Sequence, residues 1–309
     1  MHAVMDIGTN SVRLLVANLQ EKQLIPVRHE LRITRLGQDV DRQGCLAEAA
    51  MERTLQALEE YREIVSSLPV STVQLTATSA VRDSANRDEF ADQIRRRVGW
   101  EVRILGGDEE AQLSFLGAVD AAGSSLGGST KIIVTDIGGG SSEVVVGISD
   151  GTVLAAYSLQ LGSVRMTEKW ITSHPVPDDE VARLQLSVRT QLADELPSYE
   201  EAGAAVLVAV GGTATTMAAV ALGLAAYDAL SVTRTIHTKE TIADMRERLR
   251  RMTLADRSKV IGLVPGREDV IVAGLSILLG LMEHFRAGSV MVVDSDLLQG
   301  LILQSAVVD

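Results

Sequence analysis

The stretches Asp6-Ile7-Gly8-Thr9-Asn10-Ser11 and Asp136-Ile137-Gly138-Gly139-Gly140-Ser141-Ser142-Glu143 decide the fold. Each stretch follows an apolar run, at residues 3–5 in the first case and 132–135 in the second, and each precedes another apolar run. Because glycine lacks a Cβ atom, such a turn can bend tightly and bring its N–H groups close to an anion. The sequence therefore predicts two strand–turn–strand elements, each with an aspartate that enters a glycine-containing turn.

The surroundings of the first turn are repeated around the second. Apolar runs at 3–7, 12–18 and 24–34 predict three antiparallel strands, and the pattern recurs at 131–136, 142–148 and 153–160. An uncharged stretch at 122–130, composed largely of Gly, Ser and Ala, has the composition of a linker. We therefore predict an α/β protein of two similar domains, residues 1–122 and 123–309, with a cleft between them. The closing helix at 296–305 is expected to pack back on the first domain.

The remaining elements are predicted from apolar spacing. The predicted strands lie at 73–77, 102–105, 206–210 and 289–293. The predicted helices lie at 47–66, 87–98, 108–121, 162–171, 178–195, 238–252, 269–285 and 296–305.

The net charge and the cysteine content argue against some classes of partner and indicate a cellular compartment. The 309 residues carry a net charge of −12, which argues against nucleic acid or a membrane surface as a partner, because either needs a basic face. The single cysteine, Cys45, cannot form an intrachain disulfide, and a reducing cytoplasm is the expected setting. The uncharged stretch 202–227 is long enough to span a bilayer. Since Gly211-Gly212-Thr213 interrupts it, we favour a buried strand, a glycine turn and a buried helix.

Asp6 and Asp136 are candidate ligands of a hard cation that also contacts phosphate oxygens, since carboxylate oxygens suit such ions. The alternative is that each aspartate caps its own turn, as aspartate often does. Two copies, each after a buried strand, favour function. Ser141 could donate to phosphate and Glu143 could bind Mg²⁺ or orient water, although a strand glutamate on a solvated face is the ordinary alternative for Glu143.

Gly106-Gly107-Asp108-Glu109-Glu110-Ala111 lies at a predicted strand–turn–helix junction. Adjacent helical residues point about 100° apart, so only one of the two glutamates can face a cleft. Acidic residues in a first helical turn are also favoured by the helix dipole alone. The pattern leaves a catalytic and a capping role open.

Three further segments could hold phosphate. Arg82 follows a buried strand and could clamp phosphate oxygens in a bidentate fork, although a surface arginine is an equal alternative. Arg165 follows a glycine turn at a predicted helix start. Gly211-Gly212-Thr213 is a third glycine turn that opens a helix, where free N–H groups suit a phosphate. Close packing of a strand on a helix is the other interpretation of that glycine pair.

Taken together, these motifs resemble the exopolyphosphatase and guanosine pentaphosphate phosphatase family. That family belongs to the actin, Hsp70 and sugar-kinase fold group, so the resemblance implies two ribonuclease-H-like domains. The matching segments occur in order along nearly the whole chain: 6–13, 78–82 with Asn86, 107–111, 136–143, 161–165, 210–213, 264–269 and 293–296.

The resemblance implies hydrolysis of a terminal phosphoanhydride in inorganic polyphosphate or in guanosine pentaphosphate. It assigns Glu110 as the general base, Glu143 and Arg82 as further catalytic residues, and Asp6, Asp136 and Glu143 as ligands of Mg²⁺ or Mn²⁺. The residues it implies for phosphate binding are Gly8, Thr9, Asn10, Ser11, Asn86, Gly138, Gly139, Gly140, Ser141, Arg165, Gly211, Gly212, Thr213 and Arg267. A homodimer and, with guanosine penta- or tetraphosphate as partner, a link to the stringent response are further implications.

One departure from the family concerns Asp296-Leu297-Leu298-Gln299-Gly300, where relatives commonly have a Gly-Leu-Arg-Glu-Gly-like run. Any contact made by that Arg and Glu is absent here. A kinase of the same fold and a non-catalytic sensor of polyphosphate or guanosine phosphates are the competing hypotheses. Since only 3% of residues are aromatic and the sequence shows no base-stacking platform, we favour polyphosphate over guanosine pentaphosphate as substrate.

Overall fold

The computed structural model describes residues 1–20, 23–198 and 205–308, with the side chains of residue 124 and residues 306–308 excepted. The chain divides into two compact units. Unit 1 comprises Met1–Gly117 and the stretch from Leu297 onward, and unit 2 comprises Ala118–Asp296.

The sheet of unit 1 has the strand order β3-β2-β1-β4-β5. The first three strands are antiparallel neighbours, whereas β4 and β5 continue the sheet in parallel with β1. The strands are β1 His2–Ile7, β2 Ser11–Gln20, β3 Gln23–Ile33, β4 Thr72–Ala77 and β5 Val102–Ile104.

Helices follow the antiparallel strands of unit 1 and alternate with its parallel strands. They are α1 Val40–Gln43, α2 Glu48–Ser66, α3 Ser79–Arg82, α4 Arg87–Val98 and α5 Gly107–Ala122, and the division between the units falls within α5. The apolar spacing predicted for α2 places Leu55, Leu58 and Val65 in the core of unit 1. The Tyr61 hydroxyl is buried there and donates to the carbonyl of Val12 at 3.0 Å, which ties α2 to the strand after the first turn.

Unit 2 repeats this topology. Its sheet has the order β10-β11-β9-β6-β7-β8, and without β10 the sequence of three antiparallel and two parallel strands matches that of unit 1. The strands are β6 Lys131–Ile137, β7 Ser142–Ile148, β8 Val153–Leu159, β9 Val206–Val210, β10 Thr235–Thr238 and β11 Ser289–Val292. The predicted α/β class with two ribonuclease-H-like units is thus confirmed. The edge strand β10 was not predicted, because its four residues include two threonines and a histidine and form no apolar run.

The helices of unit 2 surround one large apolar core. They are α6 Ser163–Trp170, α7 Asp178–Glu195, α8 Gly211–Leu222, α9 Ala229–Val232, α10 Lys239–Arg250, α11 Leu254–Arg257 and α12 Ile271–His284. Helix α12 is buried from Ile271 to Met282, which explains its continuously apolar sequence. No helix in the described part of the chain is long and apolar enough to cross a membrane. The part of the 202–227 stretch that lies at 202–204 is outside the described residues.

The last helix, α13 Leu297–Val308, belongs to unit 1. Leu297, Leu301 and Ile302 share a core cluster with Val4 and Leu15 of the sheet. Gly300 permits a close approach to α5, because a Cβ atom at this position would lie 2.0 Å from the carbonyl oxygen of Leu113.

Candidate functional site

The turn between β1 and β2 is closed by a hydrogen bond from the Gly8 N–H to the Ser11 carbonyl, at 3.0 Å. Its carbonyl groups are occupied by the segment 34–37: Gly37 donates to Thr9, and Thr34 and Arg35 donate to Asn10, at 2.8–3.1 Å. In the described part of the chain, no backbone acceptor takes the N–H groups of Thr9 or Asn10. The turn therefore has its carbonyls held on one side and its N–H groups available to an anion.

The turn between β6 and β7 has the same construction. The Gly138 N–H donates to the Ser141 carbonyl at 3.0 Å. The Gly138 and Gly139 carbonyls accept from the first N–H groups of α6 at 2.9–3.1 Å, and the Gly140 carbonyl accepts from Arg165 Nε at 2.6 Å. Over the described residues, the N–H groups of Gly139 and Gly140 meet no backbone acceptor. Arg165 thus supports this turn through its carbonyl side.

The two turns differ in the charges that flank them. In unit 1, Asp6 is opposite Arg13 in the strand register, and the Arg13 Nη2 to Asp6 Oδ2 distance is 2.9 Å. At the corresponding position of unit 2, Asp136 is opposite Glu143. Glu143 is only 2% exposed and accepts a hydrogen bond from Ser158 Oγ at 2.8 Å. The interpretation of Glu143 as an outward strand residue is therefore wrong, and unit 2 has two carboxylates beside its turn, the buried Glu143 and the half-buried Asp136.

The third glycine turn adjoins this pair. Gly211 has a φ of +77°, and a Cβ atom there would lie 2.2 Å from Asp136 Oδ1. A Cβ atom on Gly212 would lie 2.1 Å from the guanidinium of Arg267. Thr213 Oγ1 donates to the Ile137 carbonyl at 3.2 Å. A carboxylate and a guanidinium thus occupy the space beside the two glycines, and the positive φ of Gly211 favours glycine at that position. Unit 2 thus brings Asp136, the glycine turn and Arg267 together.

The loop that presents Arg267 is held by a residue that the sequence did not single out. Arg257 is fully buried and donates to the carbonyls of Leu249 (2.9 Å), Met252 (3.3 Å) and Glu268. Burial lowers the pKa of its guanidinium, and burial of His174, together with the charge of Arg257, lowers the pKa of that imidazole. No periodicity or motif distinguishes Arg257 from a surface arginine, because its partners are carbonyl groups brought near by the fold.

In unit 1 the structure separates the two candidate glutamates. Glu110 is buried, and its Oε2 is 3.0 Å from Arg82 Nη1, which also donates to the Leu105 carbonyl at 3.0 Å. The Glu109 side chain is 41% exposed and lies 3.3 Å from Arg103. Arg82 is therefore engaged rather than a free surface arginine, and Glu110 is the inward-facing member of the pair.

Asn86 has a structural role that the sequence did not predict. Its Oδ1 accepts from the Leu46 N–H at 2.8 Å and its Nδ2 donates to the Leu46 carbonyl at 3.0 Å. The amide thus fixes the segment before α2. Phosphate binding by Asn86, by the buried Ser141 and by the other candidates of both units stays a prediction.

The acidic pair of unit 2, Asp136 and Glu143, is the best candidate for a magnesium site. Within the described residues, no three His, Cys, Asp or Glu side chains gather into a metal-binding group. Mg²⁺ does not require such a group, because it keeps several waters and is usually bound through one or two carboxylates and substrate phosphates. Asp136 and Glu143 fit this description. Asp6 fits it less well, since its carboxylate contacts Arg13.

The duplicated sheet, with an aspartate entering a glycine-containing turn at the same place in each unit, defines an actin-like α/β protein. The model of the Ppx/GppA phosphatase family matches residues 15–307. The chain belongs to this family, and the resemblance inferred from its motifs is confirmed.

Relatives extend the match over the whole chain. Exopolyphosphatase 2 of Mycobacterium tuberculosis is 37% identical over 98% of this chain and 98% of its own length. The crystal structure of the Aquifex aeolicus Ppx/GppA family member is 30% identical, covers 99% of this chain and 97% of its own, and has a TM-score of 0.81. An exopolyphosphatase-like protein of known structure is 33% identical, covers 98% of both chains and has a TM-score of 0.91.

Proposed function

We propose that this protein is an exopolyphosphatase: it releases the terminal phosphate of inorganic polyphosphate, with guanosine pentaphosphate as a second candidate substrate. The observation that carries the proposal is the unit 2 turn, whose carbonyls are held by α6 while Asp136, the buried Glu143 and Arg267 lie nearby. The Mycobacterium tuberculosis relative that is similar over nearly its entire length is an exopolyphosphatase, which supports the same substrate class.

Unit 1 supplies the proposed base. Arg82 fixes the position of the Glu110 Oε2 atom through its 3.0 Å contact. Glu110 would take a proton from water as the water oxygen attacks the terminal phosphorus. The bridging P–O bond then breaks, and the shortened polyphosphate leaves with the bridging oxygen. General-base catalysis of this type contributes about 10²–10⁴-fold in rate.

Unit 2 supplies the residues that we propose bind the phosphate groups. The N–H groups of Gly139 and Gly140, the Ser141 hydroxyl and Arg267 would hold phosphate oxygens, on which negative charge accumulates during transfer. Asp136 and Glu143 would hold Mg²⁺, which neutralises part of that charge when bound. The unit 1 turn, with Thr9 and Asn10, offers a second set of N–H donors of the same design.

Further assignments of compartment and partners are parts of the proposal. The single cysteine favours a reducing cytoplasm as the compartment. Guanosine tetraphosphate as a partner, a role in the stringent response and a homodimer follow from the family alone. The absence of nucleic-acid and membrane partners follows from the net charge of −12.

The test is phosphate release at matched phosphate concentration, with Mg²⁺, from long polyphosphate, short polyphosphate and guanosine pentaphosphate. Wild type is compared with Glu110→Gln, which should lose activity by about 10²–10⁴-fold because amide oxygen is a far weaker base. Glu109→Gln is the matched control, since this neighbour is exposed and on the same helical turn. Its activity should be that of wild type.

Preference for guanosine pentaphosphate would assign the same chemistry to alarmone metabolism. No release from any of the three substrates, with polyphosphate still bound, would contradict hydrolysis and support the sensor hypothesis. Equal loss in both glutamate variants would contradict the assignment of Glu110 as base.

A further inference from the structure

Arg257 is a buried cation at the end of α11 whose hydrogen bonds go to backbone carbonyl groups and to one imidazole. Its Nε atom donates to the Leu249 carbonyl at 2.9 Å, and its Nη2 atom donates to the Met252 carbonyl at 3.3 Å. Its Nη1 atom donates to the Glu268 carbonyl and lies 3.4 Å from His174 Nδ1. Because a guanidinium presents its donors in one rigid plane, these bonds fix the positions of the segments that carry the acceptors.

The three carbonyl groups belong to two different parts of unit 2. Leu249 is in the last turn of α10, and Met252 follows the end of that helix. The carbonyls at a helix C-terminus carry partial negative charge, so they stabilise a cation placed there. Glu268 is in the loop 258–270, which precedes α12. Arg257 therefore attaches this loop to the C-terminal end of α10.

The residue before Glu268 is Arg267, whose side chain lies against the third glycine turn. Arg267 is only 8% exposed, and a Cβ atom on Gly212 would lie 2.1–2.3 Å from atoms of its guanidinium. Within the loop, the Gly266 N–H donates to Glu268 Oε2 at 2.7 Å, which supports the local shape of the loop but does not attach it to another element. The carbonyl that Arg257 holds is thus adjacent in the chain to the residue that contacts the glycine turn.

We propose that Arg257 is a positioning residue: by holding the Glu268 carbonyl, it keeps the Arg267 guanidinium at the third glycine turn, in place for a phosphate group. This inference rests on the proposed function, in which Arg267 binds phosphate. Arg257 is fully buried and acts through Arg267. Small displacements of groups that contact a substrate are costly, since about 1 Å can lower a rate by about 10²-fold. A lysine at position 257 would keep the charge but would lose the planar set of donors.

The test is a double-mutant cycle of Arg257→Lys and Arg267→Met, with binding of long polyphosphate measured by calorimetry. All four proteins of the cycle also carry Glu110→Gln, so that the substrate is not consumed. Arg267→Met should weaken binding by about 10- to 100-fold, as expected for one lost hydrogen bond to a charged group. Arg257→Lys should weaken binding by about 10-fold when Arg267 is present and by less than about 2-fold when it is methionine. A residue that merely stabilises the fold would give equal losses in both backgrounds.

Arg250→Lys is the matched control, because Arg250 is at the same end of α10 but its side chain contacts Val176, Glu247 and Asp178 instead of the loop. This variant should bind polyphosphate as the unsubstituted position does. Urea denaturation verifies that each protein is folded under the conditions of the binding measurement. If Arg257→Lys is unfolded, Arg257→Gln, which keeps part of the donor set without the charge, takes its place in the cycle.

Equal losses for Arg257→Lys in both backgrounds, no loss in either, or a similar loss for Arg250→Lys would each overturn the inference. Failure of the proposed function gives a different result. A wild-type protein that binds polyphosphate without releasing phosphate contradicts hydrolysis, while the cycle is still read from binding. A wild-type protein that does not bind polyphosphate overturns both.

Discussion

The β1–β2 turn of unit 1 and the β6–β7 turn of unit 2 have the same pattern of backbone hydrogen bonds but differ in the charge of the residues beside them. Both are closed by a Gly N–H to Ser carbonyl bond of 3.0 Å, and both have their carbonyls occupied by a segment that follows in the sequence. Across the strand pair, however, Asp6 is opposite Arg13 whereas Asp136 is opposite Glu143. The fold has duplicated the construction of the turn, and the residue opposite the aspartate in the second strand differs in charge between the two copies.

We expect this difference in charge to affect mainly stability in unit 1 and mainly activity in unit 2. A buried aspartate paired with an arginine is stabilised by a charged hydrogen bond and has little need of an external cation. Asp136 and the buried Glu143 are opposite each other on neighbouring strands, so their carboxylates repel each other, and a bound cation would relieve that repulsion. Unit 1 is therefore expected to lose stability when its pair is broken, and unit 2 to lose activity.

Breaking the unit 1 pair should have the larger effect on stability. Arg13→Gln leaves the Asp6 carboxylate buried without its guanidinium, and the free energy of unfolding should fall by about 1.5–3 kcal/mol, the range for hydrogen bonds to charged groups. Urea denaturation measures this. Glu143→Gln is the matched change in unit 2 and should not destabilise, because it removes one of two like charges. A loss as large in Glu143→Gln would contradict the comparison.

Substitution of the glycines that pack against the two turns should change stability by a smaller amount. A Cβ atom on Gly162 would lie 2.1 Å from the Gly139 carbonyl oxygen, which is backbone, whereas on Gly37 it would lie 2.2 Å from the Thr9 Cγ2 methyl, which is side chain. Overpacking of this kind costs about 1–3 kcal/mol, and a side chain can adjust more easily than a backbone atom. Gly162→Ala should therefore destabilise more than Gly37→Ala in thermal unfolding, and it should also slow phosphate release. The opposite order would show that the unit 2 turn is not held through its carbonyls.

The sequence predicted the duplicated architecture because two apolar strand patterns and two aspartate-entering turns repeat along the chain. The limits of α4 and α7 were predicted to the residue, whereas β10 has no apolar run and was missed. Arg257 and the Asn86 amide could not be recognised as structural, since their partners are backbone groups distant in sequence.

The proposed magnesium site predicts that the unit 2 carboxylates, and not Asp6, respond to the cation. The most direct measurement is the Mg²⁺ concentration that gives half-maximal phosphate release from long polyphosphate, in Asp136→Asn and Asp6→Asn. Asp136→Asn should need at least about 10-fold more Mg²⁺, in line with the loss of metal affinity when metal-site groups are altered. Asp6→Asn should keep the wild-type Mg²⁺ requirement, whatever its effect on stability. A raised requirement in Asp6→Asn with none in Asp136→Asn would contradict the account.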